Sequence, residues 1–291
     1  MRGIVKIYKA TLLVLLSLVF LCVGLIISIF PAKCYRLRTA TTYMSIWARW
    51  ACAILGLRIS KTGPDRILPG SFVVANHCSY LDILVLGSLF PATFVAKKEV
   101  ESWFLIGPLA RLAGTVFVNR TSRMKTIPAM EEIENRLSSC ISVIVFPEGT
   151  TNNGMDMLAF KSSFFKIPVE GNHPVVPISL IYSHINEKPL SEEEKDRIAW
   201  HGAMSLLPHL WNILGMKKID VRAHFNPLIL DITAFAPSHV RKVLCAFAQE
   251  SVRSGWEFLQ REGIEPHDHR FELTSRAKDK EKRHEQFIML K

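Results

Sequence analysis

Two residues that could carry proton-transfer chemistry, His77 and Asp82, lie where one apolar run ends and the next begins. On one continuous helix, residues at this separation would lie about 140° apart, so their side chains would not touch. Contact requires His77 before a helix and Asp82 in its first turn. The pattern Ser79-x-x-Asp82 before an apolar run is a capping box, which predicts a helix that begins near Ser79.

A histidine held in this way by an aspartate can act as a general base. Asp82 would accept a hydrogen bond from one ring nitrogen of His77 and fix its tautomer, and the other nitrogen would take the proton of a substrate hydroxyl. A covalent route through Cys78 or Ser79 is less favoured, because adjacent side chains diverge. The structural alternative is that Asp82 only caps a helix and His77 is an ordinary turn residue.

The surrounding chain alternates short strands with helices, which is typical of an α/β domain. The strand Phe72–Ala75 would end just before His77, and ligands collect at the carboxyl ends of strands in open α/β sheets. The other predicted strands are Leu57–Lys61, Thr93–Ala96, Thr115–Val118, Ser142–Phe146, Val175–Leu180 and Asp220–Phe225. The predicted helices are Leu81–Phe90, Trp103–Leu112, Lys125–Ser138, Glu192–Leu207 (opened by a second capping box, Ser191 with Glu194) and His239–Gln260.

Four segments, in order and at similar spacing, resemble the motifs of the glycerolipid acyltransferases typified by 1-acyl-glycerol-3-phosphate acyltransferase. They are Asn76-His77 with Asp82, the stretch FVAKKEVESWFLIGPLARLAGTVFVNR that ends at Arg120, VFPEGT that ends at Thr150, and VVPISL at Val175–Leu180. The resemblance covers roughly residues 35–230. It implies an α/β fold with a mixed, largely parallel sheet flanked by helices, preceded by an N-terminal membrane-anchoring helical segment.

The resemblance also implies roles for individual residues. His77 would be the general base and Asp82 its partner. The acceptor would be bound by a set of polar residues and glycine from the second and third motifs and just beyond them: Arg120, Glu148, Gly149, Thr150, Lys97 and Lys161. The acyl donor would be a thioester of coenzyme A or of acyl carrier protein, with no metal and no bound cofactor. Backbone N–H groups near the His77 turn are candidates for oxyanion donors.

The acceptor is the least determined part of this interpretation. The leading acceptor is 1-acyl-glycerol-3-phosphate, which would give phosphatidic acid. Thr151 follows FPEGT where many members that use this acceptor have an arginine, and Lys161 could replace the missing cation. The longer string FPEGTTNNGMDMLAFKSSFF resembles branches that act on lyso-ornithine lipid or other lysophospholipids. Two competing interpretations are a non-catalytic lipid-binding protein, which would not need the His77–Asp82 pair, and a hydrolase that uses water.

The charge of the chain favours an anionic partner, and an uncharged apolar run near the N-terminus favours a membrane. The net charge is +10 and the pI about 9.4, which favours anionic partners. Nucleic acid is disfavoured, because the chain lacks a basic helix or an aromatic RNA-binding motif. Residues 10–30 carry no charge, and such a run is long enough to cross a hydrocarbon core of roughly 30 Å. The sequence therefore predicts a membrane protein that contacts membrane lipid.

The predicted domains are an anchor at residues 1–56, an acyltransferase domain at 57–263 and a charged tail at 264–291. The anchor would combine a transmembrane or re-entrant helix with an amphipathic helix at residues 40–57, which could lie at the interface or pack on the domain. Basic residues flank both ends of the apolar run, so the positive-inside rule gives no orientation. Cytosolic thioester donors and unpaired cysteines place the active domain on the cytoplasmic side.

Overall fold

The computed structural model describes residues 2–29, 33–64, 66–119, 123–230 and 239–262. It opens with two helices, α1 (Arg2–Ser28) and α2 (Lys33–Leu55), and continues into a sheet with helices. The predicted amphipathic segment at residues 40–57 corresponds to the later part of α2, which begins seven residues earlier than expected and ends at Leu55, before β1 begins at Leu57. Residues Met1–Gln260 form one compact unit. The predicted domain boundaries at residues 56 and 263 stay predictions.

The sheet has eight strands and is largely parallel, as the sequence predicted. Its strands are β1 (Leu57–Thr62), β2 (Phe72–Ala75), β3 (Thr93–Lys97), β4 (Val116–Val118), β5 (Val143–Val145), β6 (Val175–Ile185), β7 (Lys188–Pro189) and β8 (Ile219–Phe225). The order is β1-β8-β6-β2-β5-β3-β4, with β7 paired to β6. The five strands from β6 to β4 run parallel, whereas β8 pairs antiparallel with β6. The predicted fold class is therefore confirmed.

Six further α-helices follow α2 in the described part of the chain. They are α3 (Leu81–Leu89), α4 (Ile106–Leu112), α5 (Arg123–Ser138), α6 (Lys166–Glu170), α7 (Leu206–Leu214) and α8 (Val240–Glu262). Short 3-10 helices lie at Lys98–Ser102, Ser162–Phe165 and Glu192–Arg197. The predicted helix from Trp103 is thus shorter than expected, and it begins at Ile106 after a separate 3-10 turn.

The central strands are apolar on both faces because helices cover both sides of the sheet. In β2, Val73 and Ala75 belong to one apolar core, while Phe72 and Val74 belong to the other. All four residues are fully buried. This burial fixes the register of β2 between β5 and β6, and with it the position of the residues that follow the strand.

The predicted helix Glu192–Leu207 is wrong. The chain instead forms the 3-10 turn Glu192–Arg197, and α7 begins only at Leu206. Between them, the Trp200 backbone N–H donates to the carbonyl of Cys78 at 2.8 Å. Gly202 has a φ of +59°, in the left-handed region that favours glycine. A tertiary contact with the His77 turn therefore replaces the helix that local propensity favours.

The two N-terminal helices pack on the sheet domain. Cys52 and Leu55 of α2 are buried in the same core as Val73, and Ala10 and Leu13 of α1 pack against that core. Trp50 remains 59% exposed, so α2 both packs on the domain and keeps an aromatic side chain outward. Within the described residues, one helical segment is long and apolar enough to cross a membrane, Gly3–Ile26.

Candidate active site

The turn between β2 and α3 holds His77 against Asp82. The imidazole Nδ1 lies 2.8 Å from Asp82 Oδ2. The same oxygen accepts the backbone N–H groups of Cys78 and Ser79, each at 2.9 Å. The Ser79 hydroxyl accepts the Leu81 N–H at 3.4 Å, so the Ser79 and Asp82 side chains together bind N–H groups at the start of α3. The Asp82 carboxylate therefore caps α3 and contacts His77 with the same oxygen atom.

A tyrosine from β6 donates a hydrogen bond to the second oxygen of the Asp82 carboxylate. The hydroxyl of Tyr182 donates to Asp82 Oδ1 at 2.6 Å, and both side chains are buried. Two backbone N–H groups and one O–H therefore point at Asp82, which makes it an acceptor on every side. The remaining partner, Nδ1 of His77, must then carry its hydrogen, and Nε2 is the nitrogen that can accept a proton.

The imidazole ring is also held by stacking. It lies parallel to the Phe146 ring, with the centroids 3.9 Å apart and an interplanar angle of 11°. Phe146 follows β5, the strand beside β2, so the parallel register brings the two rings to the same edge of the sheet. The His77 side chain is 15% exposed, compared with 1% for Asp82. The pair therefore presents the histidine, and not the aspartate, towards a substrate.

Glu148 joins the end of β5 to the His77 turn. Its Oε1 accepts the backbone N–H of His77 at 2.8 Å, and its Oε2 accepts from Asn152 Nδ2 at 2.7 Å and from the Leu158 N–H at 3.0 Å. The Asn152 N–H in turn donates to the His77 carbonyl at 3.1 Å. Burial raises the pKa of Glu148 to about 7, although these hydrogen bonds oppose the shift.

The expected oxyanion donors at this turn are occupied. The N–H of His77 donates to Glu148, and the N–H groups of Cys78 and Ser79 donate to Asp82. A group that already donates to a buried carboxylate cannot also stabilise a developing oxyanion without breaking that bond. These three N–H groups are therefore not free to act as oxyanion donors in this arrangement.

Gly149 and Lys161 lie together beside this turn. Gly149 has a φ of +77°, and a Cβ placed there would lie 2.5 Å from Lys161 Nζ. The Lys161 backbone N–H donates to the Pro147 carbonyl at 2.9 Å, which brings the two segments together. The lysine ammonium thus covers the glycine next to Glu148.

The other residues predicted to bind the acceptor are less closely connected to the pair. Thr150 is exposed next to Gly149, and Lys97 ends β3 on the far side of β5. Within the described residues, no hydrogen bond links either of them to His77 or Asp82. Arg120 lies outside the described residues. No group of three or more His, Cys, Asp or Glu that could hold a metal occurs in the described part of the chain.

Cys78 is placed unfavourably for covalent catalysis. Burial raises the pKa of its thiol, and the neighbouring Asp82 carboxylate acts in the same direction. A thiol held neutral in this way is a poor nucleophile. The structure therefore supports the preference for a substrate that supplies its own hydroxyl.

Sequence reasoning missed three side chains of the site. Tyr182 lies beyond the predicted end of its strand, because β6 runs on to Ile185. The motifs include Phe146 and the string after the third motif includes Asn152, but neither pattern indicates a contact with the His77 turn. Only the alternation of β6 could have pointed to Tyr182, since Leu180 and Tyr182 are two apart and face the same side.

Comparison with known proteins identifies the family. The family model described as Acyltransferase matches residues 58–181. The lyso-ornithine lipid O-acyltransferase of Rhizobium meliloti is 37% identical over 63% of this chain and 65% of its own length. The 1-acyl-sn-glycerol-3-phosphate acyltransferase of Neisseria meningitidis is 30% identical over 69% of this chain and 74% of its own.

A solved structure has the same fold. The crystal structure of the 1-acyl-sn-glycerophosphate acyltransferase of Thermotoga maritima superposes with a TM-score of 0.63 at 20% identity, over 89% of this chain and 98% of that one. The chain belongs to the glycerolipid acyltransferase family. The resemblance drawn from the four motifs is thereby confirmed, as is the prediction of an O-acyltransferase.

Proposed function

We propose that the protein transfers a fatty acyl chain from an acyl thioester to the free hydroxyl of a lysolipid, with 1-acyl-glycerol-3-phosphate as the leading acceptor. The observation that carries this proposal is the 2.8 Å contact between His77 Nδ1 and Asp82. It leaves Nε2 as the basic nitrogen on the exposed side of a pair whose other member is buried.

The proposed reaction needs only one base. Nε2 of His77 takes the proton of the acceptor hydroxyl while the oxygen attacks the thioester carbonyl. The tetrahedral intermediate collapses by breaking the carbon–sulfur bond, and the leaving thiolate takes the proton back from His77. Asp82 stabilises the imidazolium in between, and Tyr182 and the two N–H groups keep the carboxylate in place.

The acceptor headgroup would bind beside the turn. Lys161 over Gly149 offers a cation to the phosphate of 1-acyl-glycerol-3-phosphate, and Arg120, Thr150 and Lys97 complete the proposed set. Lyso-ornithine lipid is the second candidate. It is favoured by Thr151 in place of the usual arginine and by the identity to the Rhizobium protein.

The donor is proposed to be acyl-coenzyme A or acyl-acyl carrier protein. Both are cytosolic thioesters, so we place the catalytic domain on the cytoplasmic side of the membrane. The apolar α1 supports membrane association of the domain, and two substrates with acyl chains would be concentrated at that surface.

The test is acyl transfer by the purified full chain. Labelled acyl-coenzyme A or acyl-carrier protein is offered to a panel that includes 1-acyl-glycerol-3-phosphate, lyso-ornithine lipid and lysophosphatidylcholine. We expect diacyl product with the first acceptor, and a loss of at least ~100-fold in His77→Ala. His201→Ala is the matched control, because His201 also pairs with an aspartate, at 3.0 Å, but on the surface.

The outcomes separate the competing functions. Product with lyso-ornithine lipid alone replaces the acceptor and keeps the mechanism. Free fatty acid without diacyl product indicates a hydrolase. Binding of lysolipid without either product indicates a lipid-binding protein. Equal activity in His77→Ala and in the wild type would contradict the proposal that His77 is the general base.

A further inference from the structure

A cavity with several charged residues in its lining lies far along the sheet from the His77 turn. It measures about 510 Å³ and lies between the anchor helices and the segment that runs from α4 to α5. Thr115 at its wall immediately precedes β4 and so lies at the amino end of that strand. His77, by contrast, follows the carboxyl end of β2, which is parallel to β4 within the sheet. The cavity therefore lies towards the amino ends of the parallel strands, and the candidate active site lies at their carboxyl ends.

Three arginines line this cavity: Arg36 from α2, Arg111 from α4 and Arg136 from α5. The single carboxylate in the lining is Glu132. Arg111 donates to the Glu101 backbone carbonyl at 3.2 Å, and its Nε lies 3.9 Å from the Glu101 carboxylate, which is outside the lining. The Arg111 side chain is nevertheless 58% exposed. The lining therefore has an excess of positive charge, which favours an anionic ligand.

Arg136 is the residue that points to a ligand. It is only 7% exposed. Its Nη2 donates to Glu132 at 2.5 Å, but its Nε–H is buried and has no hydrogen-bond partner among the described residues. Buried donors in proteins are nearly always paired, and the guanidinium matches the oxygens of a phosphate.

A purely structural role for Arg136 is the competing explanation. The residue lies in the last turn of α5, where a cation is favoured by the helix dipole. That role explains the charge and the Glu132 contact. It does not explain the unpaired Nε–H or the two further arginines that converge on the same cavity.

We propose that this cavity binds the phosphate of an anionic bilayer phospholipid. Apart from Thr115, the rest of the wall is apolar. It comes partly from the anchor, with Gly24 of α1 and Leu37 of α2, and partly from α4, with Leu112. Gly24 lies within the segment that is apolar enough to enter a membrane. A volume of 510 Å³ exceeds what a phosphate ion needs, so a glycerol backbone and the start of an acyl chain fit beside these side chains.

The experiment is native mass spectrometry of the full chain released from detergent with phosphatidylglycerol. This lipid is neither substrate nor product of the proposed reaction, so its binding is separable from the active site. We expect one retained lipid, and at least tenfold weaker binding in the double variant Arg36→Gln/Arg111→Gln. Arg58→Gln is the control, because Arg58 lies on β1, at the opposite edge of the sheet, where it is 50% exposed and paired with Asp220 of β8.

A second variant removes space without removing charge. Thr115→Phe fills part of the cavity and should also weaken lipid binding at least fivefold. Inorganic phosphate and phosphatidylcholine are titrated separately, and neither is expected to be retained. Acyl transfer in detergent should remain unchanged in the double variant.

Unchanged lipid binding in both cavity variants would overturn the proposal of a lipid site. Arg136 would then have only the structural role of a cation at the end of α5. An equal loss in Arg58→Gln would mean general attraction to a basic surface. Retention of inorganic phosphate as tightly as of phosphatidylglycerol would make the ligand a free anion instead of a lipid.

Discussion

At the residue scale, Asp82 combines two functions that are usually separate. Its Oδ2 accepts two backbone N–H groups that cap α3 and also faces His77 Nδ1. The first turn of α3 therefore fixes the position of the Asp82 carboxylate, and the carboxylate in turn fixes the orientation of the His77 imidazole. A positioning hydroxyl from β6, that of Tyr182, holds the remaining oxygen.

Tyr182→Phe tests this positioning. We expect kcat to fall about 10-fold with KM nearly unchanged, because the hydroxyl touches Asp82 and not the substrate. The free energy of unfolding should fall by about 1–2 kcal/mol through the lost hydrogen bond to a charged group. Tyr80→Phe is the control, since its hydroxyl contacts His209 at 3.1 Å instead of Asp82. A loss seen mainly in KM would contradict the positioning role.

Glu148 makes stability depend on pH. Its pKa is raised from 4.5 to about 7, so the folded state binds the proton more tightly than the unfolded state. This contribution is fully present below pH 4.5 and is lost as the pH rises through about 7. Between pH 5 and 8 the wild type should lose about 2 kcal/mol relative to Glu148→Gln.

Denaturant unfolding at several pH values measures that difference. Glu170→Gln serves as the control, because Glu170 is an exposed carboxylate with 65% of its side chain accessible. A difference between wild type and Glu148→Gln that stays constant from pH 5 to 8 would show that Glu148 is ionised throughout.

At the element scale, the join between α2 and β1 depends on one glycine. Gly56 has a φ of +83°, and a Cβ there would lie 2.2 Å from the Lys217 carbonyl oxygen. The same residue ends the helix with its N–H bonded to the Cys52 carbonyl at 2.9 Å. Close backbone approach and a left-handed conformation both require glycine at this position.

Gly56→Ala should lower the free energy of unfolding by more than about 2 kcal/mol, since both strain and a backbone clash are introduced. Gly202→Ala is the matched control. Gly202 also has a positive φ, of +59°, but nothing lies within 4 Å of its added Cβ, so about 1 kcal/mol is expected. Equal losses in the two variants, measured by denaturant unfolding, would contradict the close approach to Lys217.

At the scale of the whole molecule, both ends of α1 lie against the sheet domain. Near its start, Lys9 Nζ donates to the carbonyls of Leu55 and Met216 at 3.0 and 2.7 Å. Near its end, Gly24 packs on Leu112 of α4. A helix of 27 residues is about 40 Å long, and a membrane-crossing helix would carry one end away from the domain. We therefore expect α1 to lie along the membrane surface.

Cysteine labelling of sealed inside-out vesicles tests this topology. Gly3→Cys and Ile29→Cys are introduced separately after Cys22, Cys34 and Cys140 are replaced by serine, and Arg66→Cys marks the side of the domain. A membrane-impermeant maleimide should label all three positions from the same side, to within about twofold. Labelling of the two ends of α1 from opposite sides would show that the helix spans the bilayer.

Elements with local signals could be predicted from the amino-acid sequence alone. Phe72–Ala75 has the bounds that its composition predicts, because a run of buried β-branched and apolar residues between two turns specifies a central strand. The capping box fixes the start of α3 to within two residues. Four motifs in order are enough to predict the fold class and the family.

Contacts between distant segments, in contrast, required the folded chain. Tyr182 reaches Asp82 from 100 positions away, and Trp200 ends a predicted helix by bonding to Cys78. Lys161 lies over Gly149 because its own backbone is bonded to Pro147. Periodicity and caps are properties of a short stretch, whereas these contacts follow from which strands are neighbours in the sheet, and that order is set by the packing of the whole chain.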